Sequence, residues 1–250
     1  MLSITTLLLI LTISLLCVYT LHKVRLVHLL LHETRDQSRS ENAGLFRQLE
    51  ALHGLYVELG LDKSLPGTRG WAASPDFLME LVRHARTARP ACIVECSSGT
   101  STLVLARCAQ MNGCGKVYSL EHDADYAIQT RAQLQRHGLS DWAVVLDAPL
   151  QPHVFGDSSW PWYALDQLSA CPPIDLLVID GPPQATRALA RYPAGPALFL
   201  RLAAGARVFL DDASRDDEQA ILLRWQTEFP WLQQTFLPCE KGCAVLRKPA

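Results

Sequence analysis

The chain has 250 residues, of which 49% are hydrophobic and 19% are charged. This composition excludes a disordered chain, and the length suits one domain with or without an appendage. The 23 basic and 25 acidic residues give a formal net charge of −2, which leaves no basic excess for a nucleic-acid partner. The eight cysteines include no Cys-x-x-Cys pair, which argues against a disulfide scaffold and a zinc knuckle.

Residues 1–21 predict a transmembrane anchor. The segment MLSITTLLLILTISLLCVYTL has no charged residue and is long enough to cross a hydrocarbon core of roughly 30 Å as a helix. A cleavable signal peptide is the competing interpretation. It is disfavoured because no basic residue precedes the apolar run and no small-x-small site follows it. Lys23, Arg25, Arg35 and Arg39 follow the span, so we expect a single-pass protein with its bulk in the cytoplasm.

Residues 22–64 predict a helical stalk. Its apolar positions repeat at intervals of four and three, at Leu45, Leu49, Leu52, Tyr56 and Leu59. Such a seam is typical of a coiled coil, which permits a homodimer through the stalk. The alternative is an amphipathic helix that packs on its own domain.

From residue 65 to residue 250, the sequence predicts one domain in which helices and strands alternate. Ser74-Pro75-Asp76 reads as a helix start, with a cap, a first-turn proline and an acidic first turn. Further helices are predicted at 100–110, 124–137 and 216–228, and buried strands at 91–96, 117–121, 143–146, 174–179 and 207–210. Segments 234–237 and 244–247 then predict a hairpin. We therefore expect an α/β fold: a Rossmann-like, doubly wound, mostly parallel sheet with a C-terminal antiparallel hairpin.

Acids and small turn residues follow five predicted strands, at the sheet edge where ligands bind in such folds. The first strand leads into a Ser- and Gly-containing turn before a helix, a place where backbone N–H groups can approach a ligand. An acid after the second strand can accept hydrogen bonds from ribose hydroxyls. The acids and turn residues at the ends of the five strands are, in chain order, Glu95 and residues 97–101, Glu121 to Asp123, Asp147 and Ala148, Asp180, and Asp211 and Asp212.

Residues 71–248 resemble class I S-adenosylmethionine-dependent methyltransferases, in the small-molecule O-methyltransferase branch that includes the catechol methyltransferases. The order and spacing of several pieces carry the resemblance. They are WAASPDFL (71–78), IVECSSGTSTLVLA (93–106), VYSLEHD (117–123), LDAPL (146–150), DLLVIDGPP (175–183), RYPAGPAL (191–198), VFLDDA (208–213) and the terminal KGCAVLRK.

The resemblance implies a role for each strand end in cofactor binding. The first loop would hold the methionine end of S-adenosylmethionine, the second the ribose, and the adenine would lie between the second and third. The residues implied are Glu95, Ser97, Ser98, Gly99 and Ser101 for methionine, Glu121 for ribose, and His122, Asp147 and Ala148 for adenine. The family often has glycine where Ser97 and Ser101 stand, which is a departure.

The resemblance also implies a Mg²⁺ site at Asp180, Asp211 and Asp212, although the usual third ligand is Asn. Three carboxylates suit a hard divalent cation, which would lower the pKa of an acceptor hydroxyl and orient it. In the absence of a metal, Asp180 or His153 would serve as general base.

We therefore expect a membrane-anchored methyltransferase with a cytoplasmic catalytic domain and an acceptor that is a small molecule, a glycan or a lipid-linked group. One alternative is a non-catalytic membrane-tethered scaffold that retains the fold. Another is an NAD(P)-dependent oxidoreductase, which should carry the Gly-x-Gly-x-x-Gly motif that this chain lacks. Trp160, Trp162 and Tyr163 are expected to form either a substrate wall or ordinary packing.

Overall fold

The computed structural model describes residues 3–68 and 70–250, so the first two residues of the predicted anchor lie outside it. The chain divides into two compact units, residues 1–47 and residues 48–250. One long helix, α1 (Ile4–Leu59), makes up the described part of the first unit and continues into the second. Its most apolar window of 18 residues has a mean hydropathy of 2.3 and is fully exposed. By length and composition, this helix could cross a membrane.

The second unit combines short helices with two sheets. Its helices are α2 (Pro75–Ala88), α3 (Thr100–Asn112), α4 (Ala124–Arg136), α5 (Ala194–Leu198) and α6 (Asp216–Glu228). Its strands are β1 (Cys92–Cys96), β2 (Lys116–Glu121), β3 (Ala143–Asp147), β4 (Leu150–Phe155), β5 (Ser158–Tyr163), β6 (Ile174–Ile179), β7 (Leu202–Asp211), β8 (Gln233–Leu237) and β9 (Cys243–Arg247).

The main sheet has seven strands in the order β3-β2-β1-β6-β7-β9-β8. The first five strands in this order, β3, β2, β1, β6 and β7, are parallel to one another. Strand β9 is antiparallel to both of its neighbours, β7 and β8. The predicted fold class is therefore confirmed. Chain order reverses between β1 and β6, so their carboxyl ends flank the crevice in which open α/β sheets bind ligands.

A hydrophobic cluster covers each face of the sheet, because side chains of a strand point alternately to opposite faces. On β1, Cys92, Val94 and Cys96 belong to one cluster with α5 and α6. Ile93 belongs to the other, with α2, α3 and α4. Both faces are thus buried, which explains why the parallel strands read as continuous apolar runs rather than alternating ones.

The last part of α1, from Gln48 to Leu59, packs within the second unit. Leu55 and Leu59 are fully buried in its core, and Gln48 accepts a hydrogen bond from the backbone N–H of Asp76. Leu45 and Leu49, from the predicted seam, are exposed. The buried face therefore favours packing of α1 on its own domain from residue 48 onward.

Strands β4 and β5 form a hairpin that the sequence analysis did not predict. They pair antiparallel as a separate two-stranded sheet, with Trp162 opposite Gln151. Trp160, Trp162 and Tyr163 are all buried in the cluster beneath the main sheet. These aromatic residues are therefore packing residues of the domain.

Candidate active site

The loop after β1 adopts a backbone conformation that favours glycine at two positions. Ser97 has φ +115° and Gly99 has φ +151°. The Ser97 N–H donates to the carbonyl oxygen of Leu120 at 3.0 Å, which joins this loop to β2. Ser101, the other serine at which the family often has glycine, lies inside α3 and needs no such conformation. Of the two serines that stand where the family often has glycine, only Ser97 therefore adopts a backbone conformation that is strained for a residue with a side chain.

Glu95 lies beneath this loop and is fully buried. Its Oε2 accepts hydrogen bonds from the hydroxyls of Thr102 at 2.6 Å and Ser119 at 2.7 Å. Its Oε1 has no hydrogen-bond partner among the described residues. Burial raises the pKa of Glu95, and the hydroxyl donors oppose that shift. The carboxyl group therefore holds the start of α3 against β2 and retains one free acceptor.

Glu121, at the end of β2, is held by four hydrogen bonds. Its Oε2 accepts from the backbone N–H of Ser98 at 2.9 Å and from the Ser98 hydroxyl at 2.8 Å. Its Oε1 accepts from the N–H groups of His122 at 2.9 Å and Asp123 at 3.0 Å. Burial alone would raise the pKa of Glu121, but hydrogen bonds from His122, Asp123 and Ser98 outweigh it and lower the pKa. The structure thus brings an ionised carboxylate against the loop after β1.

The residues implied for adenine lie beside Glu121. The Ala148 N–H donates to the backbone oxygen of Glu121 at 2.7 Å, and Ala148 is buried. His122 is half-buried and its ring contacts Tyr163 edge to face, with centroids 6.0 Å apart. Asp147 is exposed and forms an ion pair with Arg131 at 2.6 Å. His122 Nδ1 lies 3.1 Å from Oε1 of Glu121, so His122 and Asp147 each already have a charged partner in the protein.

The three predicted metal ligands converge at the ends of β6 and β7. Asp180, Asp211 and Asp212 each offer a carboxylate oxygen within 4.8 Å of the others. Asp212 has φ +58°, in the left-handed region that Asp and Asn adopt more readily than other residues with a side chain. This backbone requirement explains how Asp can stand where the resemblance led us to expect Asn.

A buried arginine, for which the sequence pattern predicted no role, lies among these acids. The Arg191 guanidinium donates to Asp212 Oδ2 at 2.7 Å, to Asp180 Oδ1 at 3.2 Å and to the backbone oxygen of Asp211 at 2.9 Å. It also lies 3.7 Å from Glu218. Arg191 occurs in the matched piece RYPAGPAL, but no local pattern indicates that an arginine there is buried. It ties the ends of β6 and β7 to the segment that precedes α5.

The acidic cluster keeps free oxygens despite Arg191. Neither carboxylate oxygen of Asp211 has a hydrogen-bond partner among the described residues. Burial raises the pKa of Asp211 to about 8, with further increases from Asp180 and Asp212. Burial likewise raises the pKa of Asp180 to about 6, although Arg191 opposes the shift. Unpaired buried carboxylates of this kind require a proton or a cation.

The structure does not bring His153 to this cluster. His153 lies on β4, opposite Trp160, and its ring stacks on Phe155 with centroids 6.0 Å apart. Within residues 3–68 and 70–250, no hydrogen bond or ion pair joins it to any of the three aspartates. Tyr163, which also belongs to the β4–β5 hairpin, lies close to the carboxyl end of β6. A Cβ atom on Gly181 would clash with the Tyr163 hydroxyl, which is buried and has no hydrogen-bond partner in the part of the chain that the structure describes.

Comparison with known proteins identifies the domain. Residues 94–213 match the family model described as "Methyltransferase domain". A comparison with curated proteins gives no significant match. Two solved structures resemble the chain in fold. A methyltransferase from Podospora anserina, solved with S-adenosylhomocysteine, is 16% identical over 80% of this chain and 88% of that one, with a TM-score of 0.56. An O-methyltransferase from Bacillus cereus, also solved with S-adenosylhomocysteine, is 20% identical over 80% and 91%, with a TM-score of 0.52.

A third solved structure extends the same likeness. The O-methyltransferase TomG from Streptomyces achromogenes, involved in tomaymycin synthesis and solved with S-adenosylmethionine, is 15% identical over 81% of this chain and 89% of that chain, with a TM-score of 0.53. At such identities the likeness concerns the fold, and the family match supplies the class of protein. Residues 94–213 thus match a methyltransferase-domain family, and the domain around them shares the fold of these S-adenosylmethionine- and S-adenosylhomocysteine-bound methyltransferases.

Proposed function

We propose that the protein is an S-adenosylmethionine-dependent O-methyltransferase that acts on a small or membrane-proximal acceptor. The observation that supports this most is Glu121, an ionised carboxylate fixed against the loop after β1. A carboxylate at this strand end can accept hydrogen bonds from both ribose hydroxyls. All its acceptor positions are filled from within the protein, so we infer that a ribose hydroxyl replaces the Ser98 hydroxyl.

The other cofactor contacts follow from the same strand ends. S-adenosylmethionine, when bound, supplies an already activated methyl group. Glu95 and the segment from Ser97 to Ser101 would hold its methionine end, with Gly99 leaving space for close approach. His122 and Ala148 would lie on either side of the adenine, with Asp147 at the exposed edge. The task of these residues is to orient the methyl group toward the acceptor and to exclude water.

In the absence of a metal, Asp180 is the residue that we propose as general base. It follows β6 at the crevice, and burial raises its pKa to about 6. A carboxylate with that pKa is ionised at neutral pH yet basic enough to take a proton from an acceptor hydroxyl. We favour it over His153, which stacks on Phe155 in the separate hairpin.

The acidic cluster also fits a divalent cation such as Mg²⁺. Both oxygens of Asp211 lack a hydrogen-bond partner among the described residues, and carboxylate oxygens are ligands that Mg²⁺ prefers. Asp180, Asp211 and Asp212 would hold the ion, which would supply Lewis acidity toward the acceptor hydroxyl. Arg191 would remain as their neighbour and keep the carboxylates in place.

The cofactor site is tested by calorimetric titration of the full chain in detergent micelles with S-adenosylhomocysteine, with and without Mg²⁺. We expect Glu121→Ala to weaken binding by roughly 10- to 100-fold, as the loss of one or two hydrogen bonds to a charged group predicts. Asp125→Ala, an exposed acid in the first turn of α4, serves as the matched control and should stay within about twofold.

Each outcome of this titration decides between classes of protein. Loss of binding in the Glu121 variant alone would support the methyltransferase proposal, and a Mg²⁺ effect that Asp211→Asn abolishes would support the metal site. If the folded wild-type chain binds no S-adenosylhomocysteine, the proposal is wrong and the non-catalytic scaffold takes its place. Binding of NADH instead would indicate an oxidoreductase.

A further inference from the structure

A groove of about 510 Å³ lies on the sheet away from the candidate active site. Helix α2 forms one wall, and strands β7, β9 and β8 form the floor and the other wall. Apolar side chains of Phe209, Val245 and Leu237 lie on the floor, while charged and polar groups line the rim. The groove is therefore amphiphilic, with an apolar base beneath a charged margin.

Two of the arginines that line the groove stand directly opposite each other on neighbouring strands. Arg207 on β7 and Arg247 on β9 are partners in the antiparallel register, and both are exposed. Side chains at such positions start about 4.5–5.5 Å apart, and like charges there destabilise a sheet. In the part of the chain that the structure describes, neither guanidinium has a hydrogen bond or an ion pair with an acid. No described residue therefore offsets their mutual repulsion through a hydrogen bond or an ion pair.

The other ionisable groups that line the groove add no net charge. Arg83 on α2 pairs with Glu80 at 2.5 Å, so these two charges cancel. His84 is half-buried at the same wall and lies against Phe209. Burial, followed by the charge of Arg207, lowers the pKa of His84 to about 4, so the imidazole is neutral at pH 7. The net charge of the groove is therefore that of Arg207 and Arg247.

The groove is separate from the acids at the strand ends. Arg207 and Asp211 lie on the same strand, four residues apart, which corresponds to roughly 13 Å. Asp211 is at the carboxyl end of β7 with the candidate active site, and Arg207 is toward the opposite edge of the sheet. A ligand bound at the arginines would not occupy the cofactor crevice.

We propose that this groove is a binding site for a phosphate group carried by a partly apolar ligand. Two guanidinium groups side by side match the geometry and charge of phosphate, which arginine binds through paired hydrogen bonds. Bound phosphate offsets the repulsion between Arg207 and Arg247, and the apolar floor accommodates the remainder of the molecule. The phosphate belongs either to a soluble phosphate ester or to a phospholipid headgroup.

The test is calorimetric titration of the full chain in nonionic detergent micelles at low ionic strength. Three probes are used: inorganic phosphate, glycerol 3-phosphate and a short-chain phosphatidic acid below its critical micelle concentration. The variants are Arg207→Gln and Arg247→Gln. Arg136→Gln removes one exposed charge from the end of α4 and is the matched control. Because Arg207 and Arg247 are exposed, these variants should fold.

We expect each groove variant to weaken binding of all three probes by about tenfold, the effect of losing a charge-assisted hydrogen bond, while Arg136→Gln stays within about twofold. Tighter binding of phosphatidic acid than of glycerol 3-phosphate identifies a lipid source, and equal binding identifies a soluble ester. Equal losses in all three variants would indicate general charge attraction and overturn the proposal. The absence of binding to the wild-type chain would overturn it as well.

Discussion

At the scale of single residues, the candidate site is built from charges and backbone conformations that are costly in isolation. Glu95 and Asp211 are both buried, and among the described residues one carboxylate oxygen of Glu95 and both of Asp211 have no hydrogen-bond partner. Ser97 holds a conformation that suits glycine. Sites that bind a ligand often contain several such costly features, because the bound ligand rather than the protein provides the missing partners of the buried polar groups.

Ser97 gives the first prediction at this scale. Ser97→Gly should stabilise the domain by about 1 kcal/mol, because glycine adopts φ +115° without the strain that a Cβ atom causes. Ser101→Gly is the matched control: it lies in α3, where glycine should destabilise by about 1 kcal/mol. Urea denaturation of the full chain in micelles measures both. Destabilisation by both variants would show that Ser97 is not strained.

Asp211 predicts a pH dependence of stability. Its pKa is raised to about 8 in the folded domain, whereas an unfolded aspartate has a pKa of about 3.9. Between these values the folded state binds more protons, so the free energy of unfolding decreases as pH rises. The contribution is on the order of 1 kcal/mol per pH unit.

Thermal denaturation in metal-free buffer measures this effect. We expect the Tm of the wild-type chain to fall between about pH 4 and pH 8 more steeply than that of Asp211→Asn, because the amide does not titrate. Parallel Tm profiles for the two proteins would contradict a raised pKa at Asp211.

At the scale of elements, most of the main sheet could be predicted from the sequence, because strands that are buried on both faces appear as continuous apolar runs. Ile174–Ile179 and Asp216–Glu228 have the predicted bounds, one as an uninterrupted apolar run and the other after an acidic first turn. Strand β7 begins five residues earlier than predicted, because Leu202–Ala206 contains small residues and Gly205, which weaken a strand pattern.

The β4–β5 hairpin was missed for a different reason. Pro152 and Pro161 face each other across the pair, and proline is uncommon inside strands. A signal was nevertheless present at Gly156-Asp157, a dipeptide that favours a two-residue hairpin turn, with Gly156 at φ +60°. Arg191 had no comparable signal, because its partners come from strand ends distant in sequence and meet only in the folded domain.

Helix α1 supports a prediction about its two faces. Leu55→Ala should destabilise the domain by about 2–5 kcal/mol, since Leu55 is fully buried and truncation leaves a cavity. Leu49→Ala, on the exposed face, should change stability by less than about 0.5 kcal/mol. Denaturant titration of both variants tests the packing. Equal effects would show that the buried face of α1 is incorrectly placed.

At the scale of the whole molecule, the apolar part of α1 leads us to propose a membrane tether. We expect the full chain to sediment with membranes and to remain there after washing with salt or alkaline carbonate. Leu9→Arg with Ile13→Arg should abolish this retention, because arginine at the centre of a span costs about 2.5–3.5 kcal/mol per residue. Release of the wild-type chain by carbonate would contradict the tether. A mature chain that lacks the first helix would also contradict it and would indicate a cleaved signal peptide.

The strand order has a consequence for the timing of folding during synthesis. Strand β9 is made after β8, yet it lies between β7 and β8, so β8 has no neighbour in the sheet until residue 247 has left the ribosome. The apolar helix, by contrast, is made before any strand of the main sheet. Under the proposed tether, that helix would therefore enter the bilayer while the α/β domain is still incomplete and its edge strands are unprotected.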